Sequence, residues 1–190
     1  MLFGKKIYHT RTDERLMQML INGDSMAFNH LYHRYKERLL YYFYRMLHQS
    51  REKARDFTQE LFFRILEKPH LFDTKKKFST WLFSIANNMC KNEYRRLEVR
   101  RGTTVESDLD CFYDQEITSC EKNKLVEKIF SALNEESEEH RSSFILKYRE
   151  GFSIDEISEI LGISKGTVKS RLHYARKKMQ EKFNHLYYEF

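Results

Sequence analysis

Apolar residues recur three to five positions apart along almost the entire chain, and little interrupts them: the 190 residues include one proline and six glycines. Proline removes a backbone donor and clashes with the preceding turn, and glycine carries a large entropic cost in a helix. Their scarcity permits long, unbroken helices. No alternation of period two runs long enough for a strand, and no internal repeat is found. The pattern predicts an all-α fold.

The helices can be placed from their start and stop signals. A short one is expected from about Asp13 to Ile21, broken by Asn22-Gly23. Asp24 or Ser25 then caps a long helix with Met26, Leu31, Tyr35, Leu39, Phe43 and Leu47 on its apolar side. After His48-Gln49, Ser50 caps a third helix that stops near Glu67, ahead of Pro69. The stretch Pro69–Lys77 reads as a loop with three consecutive lysines, and Ser79 or Thr80 as the cap of a fourth helix. That helix carries the stripe Leu82, Ile85, Ala86 and Met89 and ends in Arg95, Arg96, Arg100 and Arg101, cations suited to a helix C-terminus.

From Gly102 to Cys120 periodicity fades, and acidic residues appear with no Lys or Arg among them. Helices resume near Glu121, through Leu125, Ile129 and Leu133, and again from Ser137 to Tyr148. The expected organisation is two small helical domains, 1–101 and 123–190, joined by a flexible acidic linker at 102–122. Charge divides the same way. Residues 1–101 hold 21 Lys/Arg against 11 Asp/Glu, and residues 102–190 hold 13 against 17. A basic N-terminal half favours a polyanionic partner, because each neutralised phosphate releases a counterion.

Several classes are disfavoured. The three cysteines, Cys90, Cys111 and Cys120, show no CxxC spacing, and the histidines no HExxH-like pairing, so neither a disulfide framework nor a metal site is expected. No cofactor is expected. No apolar run approaches the roughly 20 residues that span a bilayer, and the N-terminus lacks a signal-peptide core, which predicts a cytoplasmic protein without membrane insertion. There is no glycine-rich phosphate loop and no nucleophile–base pair that would mark an enzyme.

The most informative stretch is 153–179, SIDEISEILGISKGTVKSRLHYARKKM. Ser153 and Glu156 have capping-box spacing, Gly162 can take the left-handed conformation of a sharp turn, and Ser164 can cap a second helix. Helix, short turn and second helix is the arrangement that puts a recognition helix in the major groove. At about 100° per residue, Val168, Leu172, Ala175 and Met179 share an inner face that should pack on Ile157 and Leu161. Lys169, Ser170, His173, Tyr174 and Lys177 point outward with Thr167 at the edge, hydrogen-bonding groups early and cations later. Such a face can read base edges and hold phosphates. Residues 165–182 contain seven Lys/Arg, Lys165 and Arg171 among them, against Glu181.

From Asp13 to Phe183 the chain resembles the extracytoplasmic-function group of the sigma-70 family, in four blocks and in the right order. GDSMAFNHLYHRYKERL is similar to the start of the second conserved region, ARDFTQELFFRIL to its core-polymerase-binding block, FSTWLFSIANNMCKNEYRR to its promoter −10 block, and GFSIDEISEILGISKGTVKSRLHYARKKM to the fourth region, which reads the −35 element. By itself, the i, i+3, i+4, i+7 set Asp56, Gln59, Glu60 and Phe63 is a polar patch with an aromatic. The resemblance implies that it docks on the clamp helices of the polymerase's largest subunit. It likewise implies that Lys75, Lys76, Lys77, Phe78, Asn88, Lys91, Tyr94 and Arg95 face the non-template −10 strand. Single-stranded bases need stacking platforms while cations track the backbone. Trp81 reads as core packing ahead of a base wedge.

Core RNA polymerase, promoter DNA and, by family analogy, an anti-sigma factor are the implied partners. The linker acquires an implied path through the polymerase toward the active-site and RNA-exit channels. Two positions depart from the family's habits, Ser158 where a small alanine is common and Asn92 where an aspartate is common, while His173 and Tyr174 occupy outward positions that vary within it. The main alternative is a stand-alone helix-turn-helix regulator, which would leave the ordered N-terminal blocks unexplained.

Overall fold

The computed structural model describes residues 8–47, 50–101 and 128–183. The acidic linker, the expected helix restart near Glu121 and Leu125, and the His48-Gln49 connection lie outside them. Every regular element among the described residues is helical. The chain divides into two compact units, Met1–Lys91 and Asn92–Phe190, and the division falls inside a continuous helix.

The N-terminal unit is built from α1 (Asp13–Ile21), α2 (Ser25–Met46), α3 (Arg51–Glu67) and the part of α4 (Phe78–Arg101) up to Lys91, with a 3-10 turn at Pro69–Leu71. Thr12 caps α1 by accepting the Arg15 N–H, and Asp13 and Glu14 complement the helix dipole in its first turn. The break that follows is at Gly23, whose φ of +93° glycine adopts without strain. Of the two residues offered as cap for α2, Asp24 takes the role, its carboxylate accepting the Met26 N–H at 3.0 Å. The buried stripe of α2 is Ala27, Leu31, Tyr35, Leu39, Tyr42, Phe43 and Met46. Met26, expected on that stripe, is 47% exposed, because the inward register begins one residue later.

Ser50 caps α3 through the Lys53 N–H, and the helix stops at Glu67 because Pro69 follows its terminal Lys68. Helix α4 departs from expectation at its start. Ser79 and Thr80 lie buried within the first turn, and the Phe78 N–H donates instead to Glu14 Oε1 of α1 at 3.0 Å. Tertiary packing brings a carboxylate from 64 residues away to do what a local hydroxyl was expected to do. Along α4, Leu82, Phe83, Ala86, Met89 and Cys90 are buried. Ile85, assigned to the same stripe, is only partly covered. Edge-to-face rings knit the interior: Tyr35 on Phe78 at 5.4 Å, Phe72 on Phe78 at 5.5 Å and Tyr42 on Phe83 at 5.5 Å. Such pairs add about 0.5–1.5 kcal/mol each beyond the area they bury.

The C-terminal unit comprises helical residues 128–132, a 3-10 turn at Leu133–Glu135, then α5 (Glu138–Tyr148), α6 (Ile154–Leu161) and α7 (Lys165–Phe183). Its core gathers Leu133, Phe144, Ile145, Leu146, Phe152, Ile157, Ile160, Leu161, Val168, Leu172, Ala175 and Met179. Arg141 is buried with them, its guanidinium donating to the carbonyls of Leu133, Asn134 and Glu136. Those three acceptors offset the cost of burying the charge and tie the 3-10 turn to α5.

Candidate nucleic-acid interface

The geometry of α6 and α7 follows from short-range signals. Ser153 Oγ accepts the Glu156 N–H at 3.2 Å, and Glu156 Oε2 accepts the Ser153 N–H at 2.8 Å, completing the capping box. Gly162 ends α6 in the left-handed region at φ +66° and ψ 38°. Ser158, the departure from the usual alanine, spans the turn by donating to the Ile163 carbonyl at 2.6 Å. Two residues after Gly162, Ser164 Oγ accepts the Thr167 N–H and starts α7. The inner face of α7 is Val168, Leu172, Ala175 and Met179, all buried.

The outer face separates into two groups. Lys169, Ser170, His173 and Lys177 are exposed. Others are engaged by neighbouring elements. Lys165 Nζ lies 2.9 Å from Asp155 of α6, with both side chains largely in solvent. The Thr167 hydroxyl is 2.8 Å from that of Ser164. Arg171 pairs with Glu139 of α5 at 2.7 Å, leaving 17% of its side chain exposed. The ring of Tyr174 stacks on His140 of α5, centroids 4.6 Å apart and planes 24° from parallel, with the Lys178 ammonium 5.8 Å from its centroid. Sequence reasoning passed over Glu139 and His140: they lie more than thirty residues before their partners, and no spacing rule links them.

In the N-terminal unit, the loop before α4 folds as a tight turn. Asp73 accepts the Lys75 N–H with its carboxylate and the Lys76 N–H with its carbonyl, which holds Lys75, Lys76 and Lys77 outward. On α4, Asn88, Lys91 and Arg95 are exposed. Phe78 and Tyr94 are not with them. Phe78 is fully buried against Tyr35, Phe72 and Trp81, and Tyr94 is 6% exposed. In this conformation both rings support the surface from beneath. Trp81 packs on Phe72 at 5.1 Å and also lines an open groove of about 440 Å³ with Arg64, Ile65, Lys68, Leu71 and Ile85.

Helix α3 presents Asp56, Gln59, Glu60 and Phe63 to solvent. Glu60 is paired with Arg64 one turn on. Phe63 is 62% exposed, and Leu66 and Leu71 are 43% and 62% exposed. Large apolar side chains left in water next to charged ones are the composition of a docking face, where a few buried aromatic anchors carry most of the binding energy. Among the described residues no His, Cys, Asp and Glu cluster is arranged to hold a metal ion. No helix there is long and apolar enough to cross a membrane.

A turn of these dimensions, followed by a helix with a cationic outer row, defines a helix-turn-helix DNA-binding protein. Comparison with known proteins narrows the class. Residues 31–100 match the model for sigma-70 region 2 and residues 127–179 that for sigma-70, region 4. Across 186 residues the chain is 30% identical to the ECF RNA polymerase sigma factor SigW of Bacillus subtilis, spanning 91% of this chain and 97% of that protein. It is also 30% identical over 191 residues to the ECF RNA polymerase sigma-E factor of Haemophilus influenzae, and 36% over 128 residues to SigL of Mycobacterium tuberculosis. The latter match covers 65% of this chain and 70% of that protein. Among solved structures, the sigma factor RpoE of Bartonella quintana, in complex with the anti-sigma factor NepR, is similar with a TM-score of 0.66 and 25% identity. That match covers 81% of this chain and 94% of RpoE. CnrH, bound to the cytosolic domain of CnrY, shares the fold with a TM-score of 0.67. The chain belongs to the extracytoplasmic-function sigma factors of the sigma-70 family.

Proposed function

We propose that this chain joins core RNA polymerase and directs it to promoters by recognising two upstream elements, with the work divided between its units. Residues 1–101 form the domain for core polymerase and the −10 element, 102–122 the linker, and 123–190 the domain for the −35 element. Asp56, Gln59, Glu60 and Phe63 dock on the polymerase. Lys75, Lys76, Lys77, Asn88, Lys91 and Arg95 follow the non-template strand, with Phe78 and Tyr94 holding their backbone in place. On α7, Lys169, Ser170, His173 and Tyr174 address base edges, while Lys165, Thr167, Arg171 and Lys177 serve the phosphates or the helix start.

The observation that carries this reading is the outer face of α7, exposed and cationic above a fully buried inner face. Base edges specify and phosphates position, and that helix supplies groups for both. Neutralised phosphates also make binding fall steeply with salt. The chain is not an enzyme; phosphodiester chemistry belongs to the polymerase, and it acts in the cytoplasm, where that polymerase is. An anti-sigma factor is the expected restraining partner, in line with the complex with NepR in which its structural relative RpoE was solved.

The test is transcription in vitro from fragmented genomic DNA by core polymerase with and without the chain. New start sites sharing two short upstream elements are expected only when it is present. If core gained no start sites while the chain alone bound specific duplexes, a stand-alone regulator would replace this reading.

A further inference from the structure

The edge of the C-terminal unit that borders the recognition helix is supplied by α5 and the turn before it. Three side chains there reach α7 at successive levels: Glu139 to Arg171, His140 to Tyr174, and Glu135 to Lys182. The middle contact differs in kind from the two ion pairs. Both ion pairs leave their carboxylate largely in solvent, where salt screens it. Two planar rings 4.6 Å apart and 24° from parallel constrain both the position and the tilt of the partner. His140 is itself fixed at its other edge, with Nδ1 2.8 Å from the Ser137 hydroxyl that caps α5. Tyr174 nevertheless remains 44% exposed, on the outward side of α7 one turn beyond Ser170.

We propose that His140 is a positioning residue for recognition of the upstream element. By stacking on Tyr174 it holds that ring in one orientation, so that the phenol edge and hydroxyl meet a base pair already aligned. The proposal rests on the reading of α7 as the helix that enters the major groove. A lone tyrosine on a helix surface samples several rotamers and loses that freedom on binding. A pre-stacked ring has lost it before DNA arrives, and a rotamer that would suit a different base is closed to it. Specificity at one or two base pairs is thus set partly by a residue outside the helix-turn-helix.

The experiment uses the full chain assembled with core polymerase. Competition binding is measured between the promoter and duplexes carrying each single base-pair substitution in the upstream element. Tyr174→Ala is expected to lose discrimination at one or two base pairs. His140→Ala should lose about two- to ten-fold of it at the same base pairs and none elsewhere, the range set by ordering one side chain. His140→Phe, which keeps a ring in the stack, should restore it, and His140→Ala should add nothing in the Tyr174→Ala background. Circular dichroism checks that each variant is folded.

Full discrimination in His140→Ala, or a uniform loss over all substitutions, overturns the proposal. So does a Tyr174→Ala variant that discriminates every base pair as before. If Lys169→Ala then also leaves discrimination intact, the reading of α7 as the recognition helix falls as well; if Lys169→Ala loses it, that reading stands and only the role of His140 is lost.

Discussion

The two candidate DNA-contacting surfaces are built in opposite ways. On α7 the groups that would touch DNA stand on the outside of a helix whose start, inner face and preceding turn are fixed by residues a few positions away. On α4 and its loop, the cations stand outside but two aromatic members of the set, Phe78 and Tyr94, are in the core. The first surface is a row of side chains on a finished scaffold. The second is a thin cationic layer over rings that hold the scaffold together. The same residue type therefore carries different meanings: an outward tyrosine at 174 is available to a base, and a phenylalanine at 78 is committed to packing.

The sharpest way to break this comparison is Phe78→Ala. A fully buried phenylalanine is expected to cost about 3–5 kcal/mol on truncation, read by chemical denaturation of the free chain. A change under about 0.5 kcal/mol, typical of a surface position, would return Phe78 to the contact surface. Lys169→Ala should do the reverse, leaving stability alone while weakening discrimination at one upstream base pair by about 1–3 kcal/mol if it makes a good base contact. Unchanged promoter selectivity in that variant would remove Lys169 from the reading face.

A smaller effect tests the long-range cap. Burial pushes the Glu14 carboxyl up, but the Phe78 N–H, its own backbone N–H, the Thr12 hydroxyl and Lys77 outweigh it and hold it below the ordinary carboxylate value. A depressed pKa contributes stability that is present above the unfolded value and lost as pH falls through the folded one. Glu14→Gln should therefore cost about 1 kcal/mol at neutral pH, the scale of a lost cap, and the gap to the parent should close in acid below the ordinary carboxylate range. Parallel melting temperatures at every pH would count against the latch. Smallest of all, Gly166→Ala is expected to stabilise the chain by about 0.4–1 kcal/mol, because the added Cβ meets only Ser164 Oγ at 3.6 Å. Destabilisation would show that α7 starts less simply than the α6–α7 turn implies.

The same contrast explains what the sequence disclosed. The helices, the capping box at Ser153, the left-handed Gly162 and the inner face of α7 were legible because each depends on neighbours within a turn or two. The start of α4 was not, since nothing near Ser79 signals that Glu14 will arrive from another helix. Met26 and Ile85 were misplaced for a related reason. Periodicity gives a helix face to within about one residue, and the neighbouring helices decide which residue lies at its edge. At the interface, exposure of Lys169, Ser170, His173 and Lys177 followed from angle alone. The stack of His140 on Tyr174 required the fold of α5 against α7, and no helical period encodes it.

The bond from Phe78 to Glu14 also bears on how the molecule is assembled. Local caps can form as soon as their own turn does, on the sub-microsecond scale of helix growth. A cap drawn from 64 residues away must wait for chain closure, whose entropic cost precedes any reward. The start of α4 is accordingly expected to be secured later than the locally capped starts of α6 and α7, once α1 has docked. Ser153 and Ser164 cap their helices without that wait, so the start of α4, unlike theirs, depends on long-range closure of the chain.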